Sequence, residues 1–149
     1  MYMELHLPYK LLLLSVASSL VAGYLFPLPE FIQYPYGLAA SFLTVIVGIS
    51  LGLWVKRTIL LHRTTLNPDG QPTSLITTGL FRLSRNPMYV SYLIVAFGFA
   101  LYSAPVALLG PVAYFLYLNY KIIPREEQKL RQTFPVDYTA YAEKVRRWV

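Results

Sequence analysis

Apolar residues fall into four stretches separated by short polar or proline-bearing ones, and that rhythm predicts an all-α integral membrane protein. The first stretch, about 9–26, carries only Lys10 at its edge, where a long ammonium-bearing side chain reaches the interface. Glu4 sits where a secretory leader would be basic, so this stretch reads as a retained helix and not as a signal peptide. The second, about 36–55, has no charge, and its Gly48 and Gly52 form a small-xxx-small pattern that lets a neighbouring helix approach closely. The third and fourth, about 87–102 and 105–123, are joined by a tight Ser103-Ala104-Pro105 turn. Gly110-Pro111 is expected to bend the fourth near its outer end. The expected organisation is one membrane domain over residues 1–149, with four transmembrane helices.

The connecting segments carry the polar chemistry. Three prolines between positions 27 and 35 forbid a helix there, and Phe26, Phe31, Tyr34 and Tyr36 suit a headgroup-level aromatic belt. Asn67-Pro68-Asp69-Gly70-Gln71-Pro72 is a second break. Residues 73–85 interleave Leu75, Ile76, Leu80, Phe81 and Leu83 with Arg82 and Arg85, the composition of a short segment lying in the interface. Asn86 before Pro87 predicts a non-helical residue and then a helix start. Beyond the fourth span, two short cytoplasmic helices are expected at about 124–133 and 137–147, split at Phe134-Pro135, with Asp137 as N-cap of the second.

Composition narrows the class further. With 56% hydrophobic and 13% charged residues, the chain is too apolar for an ordinary soluble domain. It has no cysteine, which removes disulfides, zinc-thiolate sites and cysteine nucleophiles, and His6 and His62 alone cannot hold a metal. The net charge of +6 fits cytoplasmic loops and anionic headgroups better than nucleic acid. Four spans place all 13 Lys and Arg residues on the side of the termini and leave Glu30 as the other side's one charge. Moving an Arg or Lys to mid-membrane costs roughly 2.5–3.5 kcal/mol on insertion scales, so this bias predicts cytoplasmic termini and a cytoplasmic site.

That side carries two notable stretches, residues 77–89 and 124–130. Pro124 opens a helix whose first turn holds Glu126 and Glu127, where the backbone dipole favours negative charge. Glu127, Leu130, Arg131 and Phe134 then share one face, while Glu126 is expected to turn outward toward Lys129. A carboxylate on an apolar face needs a donor, either Arg82 or Arg85 in a structural pair or the hydroxyls of a ligand. No catalytic Ser-His-Asp set, P-loop or dinucleotide fingerprint is present.

The pattern Gly79-x-Phe81-Arg82-x-x-Arg85-Asn86-Pro87-Met88-Tyr89, a helical hairpin, Arg125-Glu126-Glu127-x-x-Leu130, a Phe134-Pro135 break, Tyr138-x-x-Tyr141 and a basic end resembles the isoprenylcysteine carboxyl methyltransferase superfamily. That group also contains the phospholipid N-methyltransferases. The resemblance runs from about Thr64 to Val149. It implies an integral membrane enzyme using S-adenosylmethionine, held between the third and fourth spans, the preceding loop and the C-terminal tail. It implies a catalytic set of Arg85, Asn86 and Tyr89, and a cofactor set of Gly79, Arg82, Arg85, Pro87, Tyr89, Tyr117, Tyr120, Glu126 and Glu127, with no metal. Where eukaryotic members have Arg-His-Pro, this chain has Arg85-Asn86-Pro87, and an amide cannot serve as a titrating base.

The residue types suit that cofactor. An Arg fork matches a carboxylate, a carboxylate matches a ribose diol, and aromatic faces match adenine and a sulfonium. Tyr114, Tyr117 and Tyr120 recur at near-helical spacing, which fits packing and interface anchoring as well as a ligand wall. The acceptor is expected to be a lipid or lipophilic small molecule, entering sideways between the third and fourth spans where Gly98 and Ala100 thin the wall. Two other readings fit the same chain, a membrane reductase of the superfamily and a non-catalytic small membrane protein. A proton-coupled exporter does not fit, because no acidic residue lies within a span.

Overall fold

The computed structural model describes residues 6–25, 36–62, 73–101 and 105–149. The expected proline-rich loop at 27–35, the break at 67–72 and the turn at 103–104 lie outside these. Helix α1 (His6–Leu25) and helix α2 (Tyr36–Leu61) are followed by a single 3-10 turn at Gly79–Arg82 and by helix α3 (Pro87–Leu101). A 3-10 turn at Pro105–Leu108 leads into α4 (Leu109–Tyr117), a π turn (Leu118–Ile122), α5 (Ile123–Thr133) and α6 (Pro135–Lys144). Among the described residues there is no strand. Three helices are long and apolar enough to cross a membrane, and α3 is a shorter apolar helix. The protein is therefore an all-α membrane protein.

The large apolar side chains mostly point outward. Leu14, Val21, Phe42, Leu43 and Leu53 are exposed, as expected where lipid is the solvent and apolar burial between helices gains little. Close approach of small residues holds the helices together instead. A Cβ on Gly48 would stand 2.7 Å from Val95 Cγ2 and 2.9 Å from the Val95 backbone nitrogen, so α2 and α3 meet nearly backbone to backbone. The GxxxG expectation is thus realised at Gly48, and Gly52 faces Ser91 of the same helix. Further along this contact the Ser41 hydroxyl donates to the Gly98 carbonyl at 2.6 Å. Gly98 packs against Val45 of α2, so it does not thin a wall between the third and fourth spans.

Helix α1 packs against α4 in the same manner. A Cβ on Gly110 would stand 2.7 Å from the Ser15 carbonyl, and Ser19 donates to the Ala107 carbonyl at 2.8 Å. Tyr114 reaches across to the Pro8 carbonyl at 3.0 Å and ties α4 to the start of α1. Helix α3 lies between these contacts, with α2 on one side and α1 and α4 on the other.

Two boundaries differ from expectation. Helical structure runs from Leu109 through Thr133 without a break at Pro124. In an uninterrupted α-helix the Pro124 ring would clash with the carbonyl of Tyr120, and the chain widens into a π turn over that stretch. Helix α6 starts at Pro135, two residues early, with Phe134 at the N-cap. Asp137 is therefore not the cap but a first-turn acid, still well placed against the helix dipole.

Candidate active site

The ends of α1 and α2, the start of α3 and the first turns of α5 surround a cavity of about 420 Å³. Ligands of drug size occupy pockets of roughly 300–1,000 Å³, so there is room for one nucleoside-sized molecule. Six of the residues singled out from the sequence line it, namely Arg85, Asn86, Pro87, Tyr89, Glu126 and Glu127. Both polar stretches therefore meet at one end of the helix bundle.

Residues 84–86 are irregular, with a bend at Arg85, which frees their polar groups to grip the C-terminal tail. The Arg85 backbone amide donates to the Arg146 carbonyl at 3.0 Å, and the Asn86 side-chain amide donates to the Arg147 carbonyl at 3.0 Å. Ser84 donates to the same Arg147 carbonyl at 3.2 Å and accepts from the Asn86 backbone amide. The Asn86 carbonyl then takes the first helical bond of α3, from Val90. Asn86 thus joins the tail to the helix start, a positioning use that an amide performs without titrating.

The tail returns to the cavity through its side chains. Glu127 is buried and accepts from Arg85 Nη2 at 2.9 Å, Arg147 Nη2 at 2.7 Å and Arg147 Nε at 3.2 Å. Two guanidinium groups on one carboxylate compensate its desolvation and fix both arginines. The same contact holds the Arg147 guanidinium above its ordinary pKa, against the opposing effect of burial. Trp148 donates its indole N–H to Asn119 Oδ1 at 3.0 Å and packs on Phe115, with ring centroids 5.0 Å apart. Asn119 sits in the π turn, so the tail clamps the segment that aims α5.

On the other wall Tyr89 donates its hydroxyl to Glu126. Glu126, expected to turn outward, is thus on the cavity side. Glu126 and Glu127 are neighbours on α5, about 100° apart around its axis, and the cavity is wide enough to be lined by both. Tyr138 is 1% exposed and lines the cavity, yet its hydroxyl finds no partner among the described residues. Arg85 Nε is buried and unpartnered in the same sense. Burial raises the pKa of Tyr138, as does Glu127, while Arg85, Arg131 and Arg147 oppose the rise. Tyr141 is also raised, chiefly by burial and then by Tyr138, and donates to the Phe81 carbonyl at 2.6 Å.

The remaining candidates stand elsewhere. Gly79 is exposed at φ +61°, where a side chain would be strained, and its contribution is the turn itself. Arg82 is exposed in an open groove with Asp137 and Lys144. Tyr117 and Tyr120 are 40% and 69% exposed and do not line the cavity. Nor does α4, so the cavity is not the expected space between the third and fourth spans. Sequence reasoning missed Arg147, whose charge was absorbed into the positive-inside bias, and also Tyr9, Lys56 and Tyr92. The Tyr-x-x-Tyr spacing was the signal that pointed to Tyr138.

Residues 36–136 match the family model of the phospholipid methyltransferases. The chain belongs to the phospholipid methyltransferase family. The match begins with α2 and ends inside α6, so it covers both polar stretches and stops before Tyr138 and Arg147. An uncharacterized protein from Haemophilus influenzae is 36% identical over 63 residues, which are 42% of this chain and all of that protein. No solved structure matches. Within this phospholipid methyltransferase family member, the matched stretch supplies Arg85, Asn86, Tyr89, Glu126 and Glu127, and the tail locks them together.

Proposed function

We propose that this chain is a membrane methyltransferase that uses S-adenosylmethionine at the cytoplasmic face and methylates a lipid or lipophilic small molecule. The observation carrying this reading is the cavity itself, where the Tyr89–Glu126 pair and the Arg85–Glu127 pair face one ligand-sized space. The residues present fit the cofactor. Two buried donors, Arg85 Nε and Tyr138 Oη, lack partners among the described residues, and a ligand carboxylate would satisfy such donors. Glu126 offers a carboxylate suited to a ribose diol, and Tyr89 and Tyr92 offer ring faces suited to a sulfonium. The excess of Lys and Arg on the side of the termini supports a cytoplasmic site.

S-adenosylmethionine, when bound, supplies an electrophilic methyl group. The residues of this chain contribute alignment and exclusion of water, worth most to a displacement that needs no proton relay in the protein. Glu127 holds Arg85 and Arg147 in place with both of its oxygens, and Glu126 orients the Tyr89 hydroxyl. Asn86 fixes the tail and leaves no base at that position. Titration calorimetry with S-adenosylhomocysteine in detergent tests the reading, with saturable binding expected. No heat and no thermal shift at millimolar ligand would overturn it, and a shift with a nicotinamide dinucleotide instead would mark a reductase. Methyl-labelled S-adenosylmethionine incubated with a total lipid extract then shows which lipid fraction takes the label.

A further inference from the structure

The cavity is only partly enclosed, and α1 and α2, which contribute to two of its walls, are not packed on each other. Helices α1 and α2 both pack on α3, on different faces, and make almost no contact with each other. The start of α1 and the end of α2 stand on either side of the cavity that Tyr89 and Tyr92 line. Pro8 and Tyr9 form one lip, Lys56 and Ile59 the other. Tyr9 is 49% exposed and Lys56 is exposed, so both lips also meet the surroundings of the bundle. Trp54, exposed half a turn before Lys56, marks this level as the headgroup interface.

A second lateral depression, between α3 and α4, is lined by Leu93, Ile94, Phe97, Phe115 and Trp148 and presents no charged side chain. It lies on the far face of α3 from the cavity, so it gives a lipid headgroup neither a partner nor access to Arg85 and Glu126. The charge at the α1–α2 lip is the informative difference. Among the described residues Lys56 has no carboxylate within ion-pair distance. The proposed methyl donor, with one carboxylate, one ammonium and one sulfonium, is a net cation, and its carboxylate is matched to the unpartnered donors of Arg85 and Tyr138, so an additional ammonium group suits it poorly. An anionic group on a second ligand does gain from it.

The geometry points to the gap between α1 and α2 as the route by which a membrane lipid reaches the cavity, with Lys56 holding the lipid's phosphate at the rim. The acyl chains stay in the bilayer, and the polar end of the headgroup extends past Tyr92 toward Glu126. Lys56 is then a specificity-determining residue that favours phosphate-bearing amphiphiles over neutral ones. That this lipid is the methyl acceptor rests on the function proposed above, whereas its binding at the gap does not.

The test uses the full chain in phosphatidylcholine vesicles doped with one of two photoactivatable probes. One is a phosphatidylethanolamine with a diazirine near its headgroup, and the other is the matching diacylglycerol, which lacks phosphate. Labelled peptides are mapped by mass spectrometry in the natural chain, Lys56→Gln and Lys56→Arg. The phosphate-bearing probe is expected to label residues 8–9 and 56–59. Lys56→Gln should reduce that labelling about tenfold, as loss of one charge-assisted contact predicts. Lys56→Arg should restore it, and diacylglycerol labelling should not change. Label concentrated at Val90, Val112 and Trp148, or equal labelling in Lys56→Gln, overturns the inference and leaves Lys56 as an interface anchor only. If S-adenosylhomocysteine fails to bind while Lys56-dependent labelling persists, the methyltransferase reading fails and the lipid route stands.

Discussion

Arg147→Ala tests whether the C-terminal tail is a working part of the site. Arg147 does not line the cavity, so any effect must pass through Glu127 and the carbonyls that the tail offers to Ser84, Arg85 and Asn86. Breaking a buried ion pair costs about 3–5 kcal/mol when a lone charge is left behind. Here Glu127 keeps Arg85 at 2.9 Å, and the Arg147 side chain is 34% exposed, so water screens part of the interaction. Exposed pairs contribute only about 0.2–1 kcal/mol. The expected loss lies between these limits, at about 1–2 kcal/mol. For a chain of this size that lowers an apparent Tm by roughly 2–8 °C, measured at one fixed scan rate in detergent. Arg147→Lys should recover less than half, because a lysine cannot make the bidentate contact. The decisive measurement is a double-mutant cycle with Glu127→Gln, whose coupling should exceed about 0.5 kcal/mol. An unchanged Tm in Arg147→Ala together with zero coupling would refute the account of the tail as a clamp.

Tyr89→Phe removes the hydroxyl that Glu126 accepts and leaves the ring in place, so S-adenosylhomocysteine affinity should fall by about tenfold or more in calorimetry with little change in thermal stability. Gly98→Leu should destabilise the protein by at least about 1–3 kcal/mol through overpacking against Val45, seen as loss of folded protein in detergent and not as a selective loss of lipid methylation. Alkaline pH provides a further check. Tyr138 and Tyr141 have raised pKa values when folded, so their stabilisation is complete below the ordinary tyrosine value of about 10 and is lost as pH rises beyond it. Ultraviolet phenolate absorbance should then appear together with unfolding, and Tyr138→Phe/Tyr141→Phe should shift that transition upward in pH; tyrosines that ionise in a still-folded protein would contradict it.

Hydropathy alone determined that this chain is a bundle of membrane helices. Long apolar runs must satisfy their backbone internally in lipid, and only a few arrangements do so. Local chemistry determined as much at Asn86-Pro87, where the helix starts as expected, and at Gly48, whose small size is used as the spacing implied. The tandem polar stretches also indicated that Arg85, Tyr89, Glu126 and Glu127 belong together.

Only the tertiary structure decided how they meet. The helix runs on past Pro124 behind a π turn, and that turn is held through Asn119 by Trp148, 29 residues away in sequence. Glu126 lies on the cavity side, which a helical wheel starting at Pro124 assigns to the outside, because the cavity embraces more than one face of α5. The partnership of Arg147 with Glu127 likewise spans 20 residues and has no periodic signature. Gly98 and Gly48 look alike in sequence as small residues in apolar spans, yet which neighbour each one meets follows from the order of helices around α3. A periodic pattern reports which face of a helix is small or polar, and the choice of partner for that face is made by the whole bundle.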